Sequence, residues 1–205
     1  GVTTMDLDTV AAGTGATITI VGSGGDDIFG TSSAATNATL ATTVNSGAGA
    51  DAIYTGTGAD TINGGAGNDT IDSGSGNDTI DGGAGDDAIY LDGTLTKDDT
   101  VVGGDGTDTL HLNNTDATTL NAYALGTINT MNAKNSGIDK VDFGATLAQS
   151  IDMGRLDGVS VVELGNLAGA SGLTGLGATN EVTIRATTGQ TLNLALADAT
   201  GTSDS

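Results

Sequence analysis

Between residues 46 and 90 one apolar residue recurs at every ninth position, each time between two polar or small neighbours. Ile53, Ile62, Ile71, Ile80 and Ile89 mark five gapless nonapeptides: SGAGADAIY (46–54), TGTGADTIN (55–63), GGAGNDTID (64–72), SGSGNDTID (73–81) and GGAGDDAIY (82–90). Gly stands at positions 2 and 4 of each, Asp at 6 and Ile at 8. A single inward residue flanked by two outward ones predicts a three-residue strand. The Gly-rich run before it predicts a turn, because Gly accepts positive φ without a clash. Turn and strand in alternation give two strands per circuit of two nonapeptides, and residues one circuit apart stack at about 4.8 Å. Ile53, Ile71 and Ile89 then form one inner row, and Ile62, Ile80 and Val101 the other.

The phase extends outward. VGSGGDDIF (21–29) fits through Gly22, Gly24, Asp26 and Ile28, and GGDGTDTLH (103–111) fits through Gly104, Gly106, Asp108 and Leu110. TLTKDDTVV (94–102) keeps Asp99 and Val101 without the glycines, and NATLATTVN (37–45) keeps only Val44. The chain thus divides into an N-terminal β segment (1–20) and a β-roll (21–111) with insertions near 30–45 and 91–102. A less regular β-solenoid (112–205) follows. Ile18 and Ile20 lie in an alternating strand that leads into the roll. A short helix is expected within 115–133, capped by Thr115 or Asp116, with Leu120, Ala124 and Leu125 on one face. Alternating runs at 139–143, 159–164, 181–185 and 190–196 predict further solenoid rungs, with a β-sandwich as the alternative. The start at Gly1 without a basic-then-apolar leader, and the tail at 198–205, are expected of a piece of a longer chain.

Composition narrows the chemistry. The chain has 205 residues, 35 Gly, no Pro, no Cys, no Trp and a net charge of −21. Five cations against that charge exclude nucleic-acid binding through phosphates. No apolar run is long enough to span a bilayer, so no membrane insertion is expected. Absent Cys excludes disulfides and thiolate sites, and a single His excludes multi-histidine zinc sites.

The repeat gathers the remaining charge into columns. Asp51, Asp69 and Asp87 stack in one, Asp60 and Asp78 in the other. Two carboxylates about 4.8 Å apart repel by roughly 1 kcal/mol in water and by about 3–4 kcal/mol at an effective dielectric of 20. Residues 46–111 hold 13 Asp against one Lys. A hard divalent cation between successive turns converts this repulsion into attraction. Calcium suits carboxylate and carbonyl oxygens in irregular geometry, whereas magnesium demands strict octahedra.

The pattern over 21–111 resembles the RTX repeat, G-G-x-G-x-D-x-U-x, a calcium-binding motif of β-helical proteins. The resemblance implies several Ca²⁺ ions. Each would be held by the position-2 and position-4 carbonyls and Asp of one turn, with the position-1 and position-3 carbonyls and Asp of the turn one circuit later. Carried onto this chain, the first set is Gly47, Gly49 and Asp51 with Gly64, Ala66 and Asp69. The second is Gly56, Gly58 and Asp60 with Ser73, Ser75 and Asp78. The third is Gly65, Gly67 and Asp69 with Gly82, Ala84 and Asp87. A fourth pairs Gly74, Gly76 and Asp78 with Asp99, whose unit lacks its glycines. A fifth pairs Gly83, Gly85 and Asp87 with Gly103, Asp105 and Asp108, and Asp26 joins Asp51 across the degenerate 37–45 unit.

Functional expectations follow in three classes. The Thr-, Ala- and Gly-rich stretch 165–202 is similar in style to the β-solenoids of bacterial surface-layer proteins and giant RTX adhesins. Together with the absent Cys and the acidity, this implies a calcium-binding structural protein, secreted by a type I system to the extracellular cell surface. There it would fold on Ca²⁺ and self-associate through lateral contacts into a surface (S-layer) lattice. Other regions would supply any contact with cell-surface polysaccharide. The second class is a calcium-dependent adhesin or polysaccharide-binding RTX module of a larger secreted protein. The third, an enzyme on a β-helix, is not expected. His111 occupies an outward position with no identifiable nucleophile, and a ladder of equivalent Asp suits repeated ion sites better than a glycosidase pair. Tyr54 and Tyr90 fall on one outer sheet with Asp72 between them, a sugar-binding strip or a packing surface.

Overall fold

In the computed structural model the described residues are 4–5, 17–30, 40–91, 94–122, 137–147, 151–152, 159–167, 172–176, 181–184 and 193–196. Ala124, Leu125 and the rest of the expected helix beyond 122, the tail at 198–205, and the insertion at 31–36 lie outside them.

The chain coils into a parallel β-solenoid. Its first strands are β1 (Thr4–Met5), β2 (Thr17–Val21), β3 (Ile28–Phe29), β4 (Ala41–Ala48), β5 (Ala52–Tyr54) and β6 (Thr61–Ala66). Then come β7 (Thr70–Asp72), β8 (Thr79–Ala84), β9 (Ala88–Tyr90), β10 (Thr100–Asp105) and β11 (Thr109–Leu112). After helix α1 (Asn114–Ala122) follow β12 (Lys140–Leu147), β13 (Ile151–Asp152), β14 (Val161–Leu167), β15 (Gly172–Leu176), β16 (Glu181–Ile184) and β17 (Asn193–Leu196). Among the described residues, every paired strand is parallel to its neighbour. One sheet runs β1-β3-β5-β7-β9-β11-β12-β14-β16 and faces a second, β10-β8-β6-β4-β2, while β13-β15-β17 forms a third. The sandwich alternative is excluded, since it requires antiparallel sheets.

The inner rows form as the spacing predicts. Ile53, Ile71 and Ile89 are in register, and the row continues to Leu110, Val141 and Val162. Ile62, Ile80 and Val101 form the facing row with Val44 and Ile20. All are buried, and with Phe29, Phe143 and Leu164 they make one narrow core between the sheets. Burying a side chain of this size contributes about 1.5–3 kcal/mol. On the outer face of the second sheet Thr19, Thr43, Thr61, Thr79 and Thr100 stand in register.

The first unit departs from the expected phase by one residue. Phe29, not Ile28, pairs with Ile53; Phe29 is fully buried and Ile28 is 38% exposed. A one-residue slip exchanges the faces of a strand, and here it sends the Phe29 ring inward and Ile28 outward. The helix also starts differently. Asn113 is its cap: Asn113 Oδ1 accepts the Thr115 N–H at 2.7 Å, and Asp116 Oδ2 accepts the Asn113 N–H at 2.8 Å. This is a reciprocal capping pair, with the acid three residues inside the cap.

Candidate metal centre

Each turn entering the nine-stranded sheet delivers its Asp to the turn of the preceding circuit. The Asp51 N–H donates to Asp69 Oδ1 at 2.8 Å, that of Asp69 to Asp87 Oδ1 at 2.8 Å, and that of Asp87 to Asp108 Oδ1 at 2.9 Å. The column extends at both ends. The Asp27 N–H donates to Asp51 Oδ1 at 2.7 Å, and the Asp108 N–H to Asp139 Oδ2 at 3.0 Å. On the opposite side Thr42, Asp60 and Asp78 donate in the same way to Asp60, Asp78 and Asp99, at 2.7–2.9 Å.

Asp26 is therefore corrected. Asp27 takes the ladder position and is buried, whereas Asp26 is exposed and accepts the Ala50 N–H at 2.9 Å. The slip that turned Phe29 inward moved the acid by the same one residue. The fourth pairing brings Asp78 to Asp99, but the second Asp99 oxygen already accepts the Thr96 N–H of its own turn at 2.6 Å.

The ladder hydrogen bonds occupy one oxygen of each carboxylate. The second oxygens of Asp51, Asp60, Asp69, Asp87 and Asp108 are buried, and among the described residues none meets a donor. An unpaired buried charge is costly, and the ordinary remedy is a proton or a cation. Burial, the largest cause, pushes Asp69 and Asp87 up to about 6 and Asp78 up to about 7. Donated backbone N–H groups counter this in part, and neighbouring carboxylates add to it: Asp87 and Asp51 at Asp69, Asp108 at Asp87, Asp60 and Asp99 at Asp78. Asp60, Asp99 and Asp108 are raised too, again chiefly by burial.

Carbonyls crowd the same space. If Gly64 carried a Cβ, it would stand within 2.6 Å of both Asp69 Oδ2 and the Gly82 carbonyl; at Gly82 the neighbours are Asp87 Oδ2 and the Gly103 carbonyl. In the other three of the five central units position 1 is Ser or Thr, and there the Ser46 hydroxyl donates to the Gly64 carbonyl and the Thr55 hydroxyl to that of Ser73 at 3.1 Å. Position-3 carbonyls of Ala66, Ala84 and Asp105 accept the N–H of Gly49, Gly67 and Gly85 at 2.7 Å, and the Gly56 carbonyl accepts that of Ser75 at 2.7 Å. Each such carbonyl retains a second lone pair. Glycines at positions 2 and 4 have positive φ in the first column, as at Gly65 (100°) and Gly67 (126°). In the second column only position 2 does, at Gly56 and Gly74; Gly58 and Gly76 are required instead by close approach to carbonyls of the preceding circuit.

Among the described residues no three His, Cys, Asp or Glu side chains converge on one point. A cation here must therefore draw on carbonyls plus two carboxylates, an all-oxygen set that suits calcium. His111 belongs to neither column. It stacks on Tyr90, ring centroids 4.1 Å apart and 4° from parallel, with Nδ1 3.2 Å from Asp142 Oδ2. Sequence spacing placed Tyr54, Asp72 and Tyr90 in one outer row, and the register agrees.

The RTX calcium-binding nonapeptide repeat (4 copies) is the family whose model matches the chain, over residues 45–80, 67–93 and 95–116. No curated protein and no solved structure matches. These segments carry RTX calcium-binding repeats and hold the ladder acids from Asp51 to Asp108, while Asp27 and Asp139 at the two ends of the first column lie outside them.

Proposed function

We propose that this chain is a calcium-dependent structural protein of the bacterial cell surface, folding on Ca²⁺ after export and assembling laterally into a surface (S-layer) lattice. The observation that carries the calcium part is the row of buried carboxylate oxygens without donors, beside backbone carbonyls of the neighbouring turns. The proposed ligands are the five sets named from the repeat, with Asp27 in place of Asp26. Where calcium is scarce, repulsion along the columns keeps the roll open, suited to threading through an export channel. Where it is abundant, binding to the folded state alone adds RT ln(1 + [L]/Kd) to stability. The ion supplies positive charge between turns; the chain supplies the ordered oxygens. The lattice is supported by the sheet ends: among the described residues β1, β2, β10 and β16 each pair on one side alone, an edge suited to a neighbour's strand.

Sedimentation velocity of the chain, first in chelator and then across a calcium titration, tests this reading. The expected result is a slow, expanded monomer that compacts and then forms larger species. Compaction that stops at a monomer would replace the lattice by the adhesin or polysaccharide-binding module. An unchanged sedimentation coefficient would sink the calcium mechanism itself.

A further inference from the structure

We infer that the solenoid holds one calcium site beyond the nonapeptide repeats, between the turn at 103–108 and the segment Gly137–Asp139. The inference rests on the calcium reading of the ladders proposed above. Turn 103–108 has two faces. One meets turn 82–87 and completes the fifth pairing. The repeat offers nothing to the other, since its phase ends at His111. Yet that face is built like its predecessors. Gly104 and Gly106 hold φ of 121° and 138°, matching 109° and 135° at Gly83 and Gly85. The second oxygen of Asp108 is buried and meets no donor among the described residues, and Asp108 itself is 0% exposed.

The segment 137–139 fills this face. Asp139 Oδ2 accepts the Asp108 N–H at 3.0 Å, as Asp108 accepts that of Asp87. The Gly137 carbonyl stands over Gly103 where the Gly103 carbonyl stands over Gly82, and the Gly82 carbonyl over Gly64. In all three places a Cβ on the lower glycine would fall within 2.6 Å of that carbonyl and of Oδ2 on the turn's own Asp. The chain reaches this arrangement by another route. Asp139 follows Asp108 by 31 residues, where the earlier steps are 18, 21 or 24. Gly137 precedes its Asp by two residues instead of five, so no nonapeptide marks the place.

The competing account is an end cap, in which Asp139 closes the ladder by a hydrogen bond and holds no ion. Asp139→Asn separates the two, because the amide oxygen still accepts the Asp108 N–H while the charge is lost. Calcium per full chain at saturation is counted by equilibrium dialysis with elemental analysis, for wild type, D139N and the ladder control D69N. The site requires D139N to hold one ion fewer than wild type. Equal counts for wild type and D139N, with a loss in D69N, would overturn this site and leave the ladders standing. A wild-type chain without calcium would overturn the ladder reading, and this site with it. Should D139N fail to fold, crystals of the wild-type chain grown in calcium decide the matter. An ion bridging Asp108, Asp139 and the Gly137 carbonyl supports the site; a hydrogen-bonded water there overturns it.

Discussion

At the scale of one residue, Asp51, Asp60, Asp69, Asp87 and Asp108 each divide their two oxygens: one orders the neighbouring turn, the other is buried without a donor among the described residues. Asp69 sits in two of the proposed ligand sets, so Asp69→Ala is expected to raise the calcium midpoint of folding about tenfold or more, equivalent to about 1.4 kcal/mol. Asp26→Ala is expected to leave it unmoved, because Asp26 is exposed and off the ladder. Circular dichroism against calcium concentration checks both; equal effects would return Asp26 to the site. Protons should substitute for calcium. Asp69, Asp78 and Asp87 are held above the ordinary 3.8, so the calcium-free roll binds protons more readily than the unfolded chain. Their contribution is fully present below pH 3.8 and is lost as pH rises through about 6 to about 7. In chelator, β-structure is therefore expected near pH 4 and is expected to fade towards neutrality; a pH-independent spectrum would contradict this. The central acids were legible in the sequence because five copies fix one phase. The first unit was not, since GSGGDDIF offers two adjacent acids and two adjacent apolar residues, and the choice fell to which side chain the core buries, that of Phe29.

Among elements, the strands were legible because the core is a single apolar residue wide. An x-Ile-x segment has one face to offer and one register to take. The turns between them tolerate little. Gly67 has φ of 126° and stands against the Gly49 carbonyl, so Gly67→Ala is expected to destabilise the calcium-loaded roll by about 1–3 kcal/mol. Gly144, in β12, has nothing within 4 Å of its would-be Cβ, and Gly144→Ala should be neutral or mildly stabilising, by up to about 1 kcal/mol. Urea unfolding in calcium separates the pair. The helix cap was misplaced by two or three residues because Asn113-Asn114-Thr115-Asp116 offers four competent caps in a row. What selected Asn113 was the reach of Asp116, whose other oxygen accepts the Leu95 N–H at 3.1 Å. The rungs β12, β14, β16 and β17 followed from alternation, while β13 was too short and β15 too glycine-rich to signal themselves.

For the molecule as a whole, the ladder has a direction. Each N–H of the first column, from Asp27 to Asp108, donates to a carboxylate later in the chain, and among the described residues Asp139 is the last acceptor. Order therefore passes backward along the sequence. A chain that appears amino end first exposes donors whose acceptors have yet to emerge. One that appears carboxyl end first offers each new turn a carboxylate already in place. Two truncations weigh the difference: residues 1–111 lose the final acceptor, while residues 40–205 keep it and lose the first donor, Asp27, together with β1–β3. The shorter C-terminus should demand more calcium to fold, by the equivalent of about 1–3 kcal/mol for the buried N–H left open. Matched calcium midpoints in the two truncations would mean that the direction is geometric only. Unequal ones would make this solenoid a ratchet, assembled from whichever end arrives holding the acceptor.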